Sequence, residues 1–268
     1  MDDTALKLSF ASAMAEVDPE EWNAVANPAG VRFDPFLKWE FLDAMETSGA
    51  ATPNTGWMPR HVLIRDATGR LKAAMPLYGK THSRGEFVFD QSWADAYERA
   101  GGAYYPKLLG AVPFTPVTGR RLLVRPGPDA IRLQTALLSG AIQLAEQNEL
   151  SSLHINFASP EEATMLSETG LLLRTDQQFH WQNRDYGSFD DFLADLSSSK
   201  RKNLRKERAK AQEGLDFVHL RGDDITEAHL DAFYIFYMDT GTRKWGSPYL
   251  TRDTFSLLRE RMAVDLIL

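Results

Sequence analysis

From Arg120 to Asn183 the chain alternates strand-like and helix-like stretches, and this alternation limits the fold more than any other feature of the sequence. RRLLV (120–124) leads into the break Arg125-Pro126-Gly127-Pro128-Asp129. A long helical pattern (130–148), the strand LHINF (153–157), a helix Pro160–Glu168 and an extended stretch (171–183) follow. Parallel neighbours in a sheet need helical crossovers, so the pattern predicts an α/β protein, with a mixed (α+β) sheet because the upstream elements form a hairpin.

Those upstream elements are a strand at 6–14, a helix Pro19–Ala26 opened by Asp18 as cap and Pro19 in its first turn, and a second helix at 35–48. HVLIR (61–65) and LKAAMPLY (71–78) make the hairpin around Asp66-Ala67-Thr68-Gly69, and 87–89 reads as a further short strand. Together, residues 1–185 read as one domain. Strand 215–220, helix 226–239 capped by Thr226, helix 249–262 and strand VDLIL (264–268) repeat the order strand, helix, helix, strand of residues 6–66. This predicts a second domain over 186–268 that is incomplete at its C-terminus.

With 43% hydrophobic residues the chain can bury a sizeable core, and the absence of cysteine excludes disulfides, thiolate metal sites and cysteine nucleophiles. The acidic N-terminus lacks the features of an export signal, and no apolar run is long enough to span a membrane, so a cytoplasmic location without membrane insertion is expected. The net charge of −7 is unevenly spread. KRKNLRKERAK (200–210) holds seven basic residues and one acid, a basic strip on an acidic body. Such asymmetry suits an anionic ligand at the strip, whereas general nucleic-acid binding is resisted by the rest of the surface.

AMPLYGKT (74–81) satisfies a relaxed phosphate-loop pattern, but it lies in a hairpin strand and no helix starts after it, so it is rejected as a nucleotide site. Lys80 and His82 remain candidates to line a pocket at the strand's end. The run 90–118, rich in Gly, Pro and aromatics, reads as a substrate-lining loop with Trp93, Tyr97, Thr115 and Thr118 in contact positions. Asp90, Tyr105 and Lys107 are its polar candidates. A carboxylate or phenol can orient and deprotonate an acceptor amine, and a cation can hold a phosphate or carboxylate. The plainer reading is a loop covering the core. His180, ending an expected strand, is a candidate general base or a structural histidine, and Trp181 beside it is a candidate substrate contact. After the cap-forming serines 197–199, Arg201, Lys202, Asn203 and Arg205, with Lys244 further on, are candidate phosphate ligands, or a solvated basic face. HExxH, GxSxG and GxGxxG are all absent and the six histidines are scattered, so no metal site is expected.

The segments PRHVLIRDATGRLKAAMPLY, SWADAYERAGGAYYPKLLGAVPFTPVTGRRLLVRPG, FHWQNRDYGSFDDFLADLSSSKRKNLRKER and TGTRKWGSPYLT resemble a bacterial FemAB-like family of peptidoglycan biosynthesis or recognition proteins within the GNAT acyltransferase superfamily. The resemblance implies tandem GNAT-like domains and transfer of an acyl or aminoacyl group from acyl-CoA or aminoacyl-tRNA to a small-molecule or peptide amine, with tRNA as a partner. The chain departs from the GNAT pattern where [RQ]-x-x-G-x-[GA] is expected. Two prolines there remove amide donors and Asp129 adds a negative charge at the helix start, so no cofactor is expected in the first domain. The different-class reading is a non-catalytic module binding a phosphorylated cell-wall precursor or RNA.

Overall fold

The computed structural model describes residues 5–244 and 246–268. They fall into two units, one running up to Leu173 and resuming over Arg221–Leu268, the other Arg174–Leu220. The larger unit contains β1 (Lys7–Ala11), α1 (Pro19–Ala26), α2 (Trp39–Thr47), β2 (Trp57–Pro59), β3 (His61–Arg65), β4 (Leu71–Met75), β5 (Leu77–Lys80), α3 (Gln91–Arg99), β6 (Lys107–Gly110), β7 (Leu123–Val124), α4 (Ala130–Gln147), β8 (Leu153–Ile155) and α5 (Pro160–Glu168). The smaller unit holds α6 (Phe189–Ala194) and α7 (Ser198–Gln212), and the larger ends with α8 (Glu227–Arg243) and α9 (Arg252–Met262).

Pro76 divides what the sequence presents as one strand. A proline has no N–H to give to a ladder, and on either side of it the chain joins different sheets: β4 in the order β1-β3-β4-β7 and β5 in the order β2-β5-β6-β8. The partner arm bends at the same level, so that Pro59 opposes Tyr78 while Val62 opposes Met75. At the bend the amide of Leu77 donates to Nδ1 of His61, whose Nε2 lies 2.8 Å from Glu46. An acceptor Nδ1 and a donor Nε2 define a neutral imidazole, buried against Trp22 and Tyr78. All ladders are antiparallel except β6 with β8, which is parallel; β7, which the alternation sets parallel to β8, instead pairs antiparallel with β4 in the other sheet.

Helices cover both faces. Alternation along β3 sends Leu63 into a core with Trp22, Leu42 and Met45 of α1 and α2, and Val62 and Ile64 into a second core with Leu133, Leu137 and Ala141 of α4. α4 lies so close to β1 that a Cβ on Gly140 would fall 2.3 Å from Leu8. At the other margin Glu162, in the first turn of α5, accepts the backbone amides of Arg121 (2.7 Å) and Leu122 (3.1 Å), while Arg121 Nε donates to the Asn156 carbonyl.

Several expectations are corrected. The strand expected at 87–89 is absent because Phe87 and Phe89 adopt left-handed φ of 59° and 48°, incompatible with a ladder. α3 and β6 occupy the stretch read as loop. The stretch 171–183 forms no strand; Leu172 is 98% exposed and has no sheet to pack on. Residues 215–220 form no strand, and 264–268 form no ladder, Ile267 making only an isolated bridge to Arg221. The terminal helices do not build a second sheet among the described residues. Met262 of α9 enters the first core, Arg261 pairs with Asp43, and Thr251 and Thr254 bond to Ser48. Among the described residues no helix is long and apolar enough to cross a membrane.

Candidate functional site

Antiparallel pairing of β5 with β6 sets Lys80 directly opposite Lys107, and both side chains are fully buried. Like charges facing each other across a ladder destabilise a sheet, and buried ammonium groups need partners. The partners come from the connection 81–106. Lys107 Nζ donates to Glu86 Oε2 (3.0 Å), Asp90 Oδ2 (2.8 Å) and Ser83 Oγ (2.8 Å). Asp90 Oδ2 also accepts the Tyr104 hydroxyl at 2.8 Å, and Ser83 lies 2.8 Å from the Tyr105 hydroxyl.

Lys80 is treated differently. Its Nζ sits 3.5 Å from the centroid of the Trp57 ring and donates to the Arg84 carbonyl at 3.4 Å, and it makes no ion pair among the described residues. Burial lowers its pKa to about 7; Glu86 opposes this and Lys107 adds to it. Burial pushes Asp90 up, but the hydrogen bonds from Lys107, Ser83 and Tyr104 and the Lys107 charge outweigh it and hold the carboxyl at about 2. Glu86 goes the other way, burial raising it against the pull of Lys107. Burial, Lys80 and Arg84 all lower His82. Two carboxylate oxygens, Glu86 Oε1 and Asp90 Oδ1, are buried without a hydrogen-bond partner in the structure, an expensive state for acceptors of this strength.

An aromatic wall runs along the site. Trp57 packs edge-on to Tyr78 and against Phe114, and Phe114 stacks on Tyr249 at 5.4 Å between centroids. Phe114, like Phe87 and Phe89, is left-handed, a conformation costing about 1–3 kcal/mol and concentrated at functional sites. Gly85, at φ 79°, brings the connection so close that a Cβ would fall 2.6 Å from Phe114.

Of the residues singled out from sequence, the structure gathers Lys80, His82, Asp90, Tyr105 and Lys107. Trp93 and Tyr97 lie nearby on the outer face of α3, Trp93 62% exposed; only Ala94 of that helix is buried. Thr115 is half-buried, bonding to the Pro113 carbonyl, and Thr118 is exposed. Lys244 caps the end of α8 and is exposed. In the smaller unit, His180 is exposed and bonds Gln178, Trp181 is exposed, Arg201 donates to the Leu196 carbonyl, Arg205 pairs with Asp190, and Lys202 and Asn203 face solvent. Sequence reasoning missed Glu86, Ser83 and Trp57. The signal available was the pair of lysines in apolar strands, which calls for acids close by.

At the expected donor turn, Asp129 caps α4 without bonding its amides and pairs with Arg132, and Arg125 donates to the Ala24 carbonyl. A turn lacking the amides of Pro126 and Pro128 and carrying this carboxylate does not fit a pyrophosphate. No group of three or more His, Asp or Glu side chains able to hold a metal occurs among the described residues.

Helices on both faces of two joined sheets, enclosing a buried lysine and carboxylate cluster, define a mixed α/β protein. The profile of the FemAB-like family, described as peptidoglycan biosynthesis/recognition, matches residues 13–268, and the chain belongs to that family. No curated protein matches. Similar solved structures include a ribosomal-protein-alanine N-acetyltransferase from Brucella melitensis biovar Abortus 2308 (14% identity, TM-score 0.38, covering 67% of this chain and 99% of that one). The aminoglycoside 6'-N-acetyltransferase AAC(6')-Ih from Acinetobacter baumannii shows 10% identity, TM-score 0.40 and coverages of 67% and 99%. The glucosamine-6-phosphate N-acetyltransferase from Arabidopsis thaliana shows 9% identity, TM-score 0.37 and the same coverages.

Proposed function

We propose that this FemAB-like protein transfers an acyl or aminoacyl group to the amine of a cell-wall precursor. The observation that carries this reading is the buried quartet Lys80, Lys107, Glu86 and Asp90. An acceptor amine arrives protonated and must lose a proton before its nitrogen can attack a carbonyl. In this reading the unpartnered oxygens of Glu86 and Asp90 hold the acceptor's N–H groups, and Lys80, whose amine titrates near 7, takes the proton. Lys107 keeps both carboxylates in place, with Ser83 and Tyr105 fixing Lys107 in turn. The amine nitrogen then bonds to the donor's ester or thioester carbonyl carbon. The carbonyl's bond to oxygen or sulfur breaks, an amide forms, and the leaving group takes a proton. Positioning supplies most of the rate in such a site.

The donor turn at 125–129 does not suit CoA, which favours an aminoacyl ester as donor; the tandem organisation, 1–185 followed by the front part of a second GNAT-like domain over 186–268, belongs to the same reading. That turn is also the observation favouring the second reading, a module that binds a phosphorylated precursor without catalysis. The deciding experiment incubates the chain with alanyl-tRNA and an amine-bearing muropeptide and looks for the amide product by mass spectrometry. A product lost about tenfold or more in a folded Lys80→Met variant is expected; an undiminished rate in that variant sinks the role of Lys80, and absence of product with any activated acyl donor favours the binding module.

A further inference from the structure

The four charged side chains at the centre of the site are sealed from solvent. Lys80, Glu86, Asp90 and Lys107 are each at most 3% exposed, so an arriving amine meets the carboxylates only once one side of the enclosure moves. The sides differ in what holds them. Towards Lys107 the cover is hydrogen-bonded: Ser83, Glu86 and Asp90 take the ammonium, and the Tyr104 and Tyr105 hydroxyls bond to Asp90 and Ser83. Moving that side breaks several bonds to charged groups at once, and those are the strong ones.

Towards Lys80 the cover is aromatic. Lys80 lies over Trp57, Trp57 packs against Phe114, Phe114 stacks on Tyr249, and Tyr249 meets Phe87 edge-on at 6.1 Å between centroids. Phe87 adjoins Glu86 in the chain, so the rings close a circuit from Lys80 round to the carboxylate. Each such ring contact is weak beside a charge-assisted hydrogen bond. Within the circuit Trp57 is buried in the first core, and Phe87 and Phe114 stand on left-handed backbone. Tyr249, in the connection between α8 and α9, is half-buried. The Tyr237 hydroxyl accepts the amides of Tyr249 (2.8 Å) and Leu250 (3.0 Å), and the Thr251 hydroxyl donates to the Ser48 carbonyl at 3.1 Å. With its backbone pinned in this way, the Tyr249 ring moves by rotation about its own side-chain bonds. Swinging it away from Phe114 and Phe87 opens a passage the width of a ring.

We infer, building on the transfer reading, that Tyr249 is the specificity-determining residue of this site: its ring closes the way to Glu86 and Asp90, and the amine that enters when it swings aside is one carried on a slender, unbranched chain. A branch at the carbon bearing the nitrogen meets Phe114 or Phe87. Closure behind the amine excludes water from the cluster and keeps Lys80 desolvated, the ordinary service of a mobile cover at a reacting centre.

The test reads access to Lys80 without any transfer. The full 268-residue chain is exposed briefly to the N-hydroxysuccinimide ester of acetate at mildly alkaline pH, and the label on each lysine is followed by peptide mass spectrometry. Lys80 is expected to acylate about tenfold or more faster in Tyr249→Ala than in the native chain, because a desolvated amine reacts readily once it is reached. Tyr249→Phe, which keeps the ring, should match the native chain. Lys107 should stay unlabelled behind its carboxylates, and the exposed Lys200 should not change. If the alanine variant loses native circular dichroism, Tyr249→Leu takes its place, with a smaller rise of the same sign. In the transfer assay, Tyr249→Ala should lower the kcat/KM preference for an unbranched over a branched amine about tenfold. Unchanged Lys80 labelling in the folded variants, an equal rise at Lys107, or an unchanged preference overturns the assignment. Lys80 labelling as expected without any transfer removes the transfer reading and leaves the gate in place, whereas transfer with unchanged labelling removes the gate alone.

Discussion

Lys80 and Lys107 face each other across one antiparallel strand pair, fully buried, yet only Lys107 has carboxylate partners. The two lysines therefore contribute to stability with opposite signs. Lys107→Met leaves Glu86 and Asp90 buried without a counter-charge and is expected to cost about 3–5 kcal/mol. Lys80→Met removes a desolvated, unpaired amine and should be near neutral or stabilising. Urea denaturation of the two variants measures both; equal losses would refute the asymmetry.

The same contrast sets the pH dependence. Lys80 titrates near 7 when folded and near 10.5 when unfolded. Between those values the unfolded chain binds the extra proton, so this group makes stability rise with pH from about 7 to about 10.5. Lys80→Met should remove that rise. Asp90, held at about 2 against an ordinary 3.8, contributes stability that is complete above 3.8 and fades as pH falls towards 2. Melting temperatures across the pH range test both signs.

Gly85 combines a left-handed backbone with a Cβ position only 2.6 Å from the Phe114 ring. Gly85→Ala should cost about 1–3 kcal/mol and loosen the connection that carries Glu86 and Asp90. Gly69→Ala, at a similar φ but with open space around it, isolates the backbone part of the cost. If the two substitutions lower the melting temperature equally, the packing against Phe114 is unimportant.

The turn at 125–129 offers a pyrophosphate neither a full set of amides nor a positive environment. Calorimetry of the chain with acetyl-CoA should show no heat of binding. Micromolar affinity would mean that the prolines and Asp129 do not exclude the cofactor.

Elements whose signals are local were legible in the sequence. Asp18 with Pro19 and Ser159 with Pro160 mark their helices to the residue, and Thr226 caps α8 as expected. β2 and β6 were missed because they are short and buried throughout or nearly so, which erases the alternation that identifies a strand. The strand expected at 264–268 follows α9, whose Met262 packs into the core of α1 and α2, a tertiary outcome that no local pattern announces. The site divides in the same way. Lys80, Asp90, Tyr105 and Lys107 stood out as polar residues in unusual surroundings, whereas Glu86 and Ser83 acquire meaning only once β5 and β6 pair and bring the two lysines face to face.

The hairpin broken at Pro76 makes the two sheets a wedge. Along one side they are continuous through the backbone, since both arms of that hairpin enter both sheets. At the opposite margin the segment before β7 and the segment after β8 meet through the isolated bridge Gly119–Ala158 and the side-chain bonds of Arg121 and Glu162. The two sheets are thus held by a covalent spine along one side, and along the other by one buried carboxylate, Glu162, and the core under α4 that both sheets share, rather than by a run of ladder hydrogen bonds.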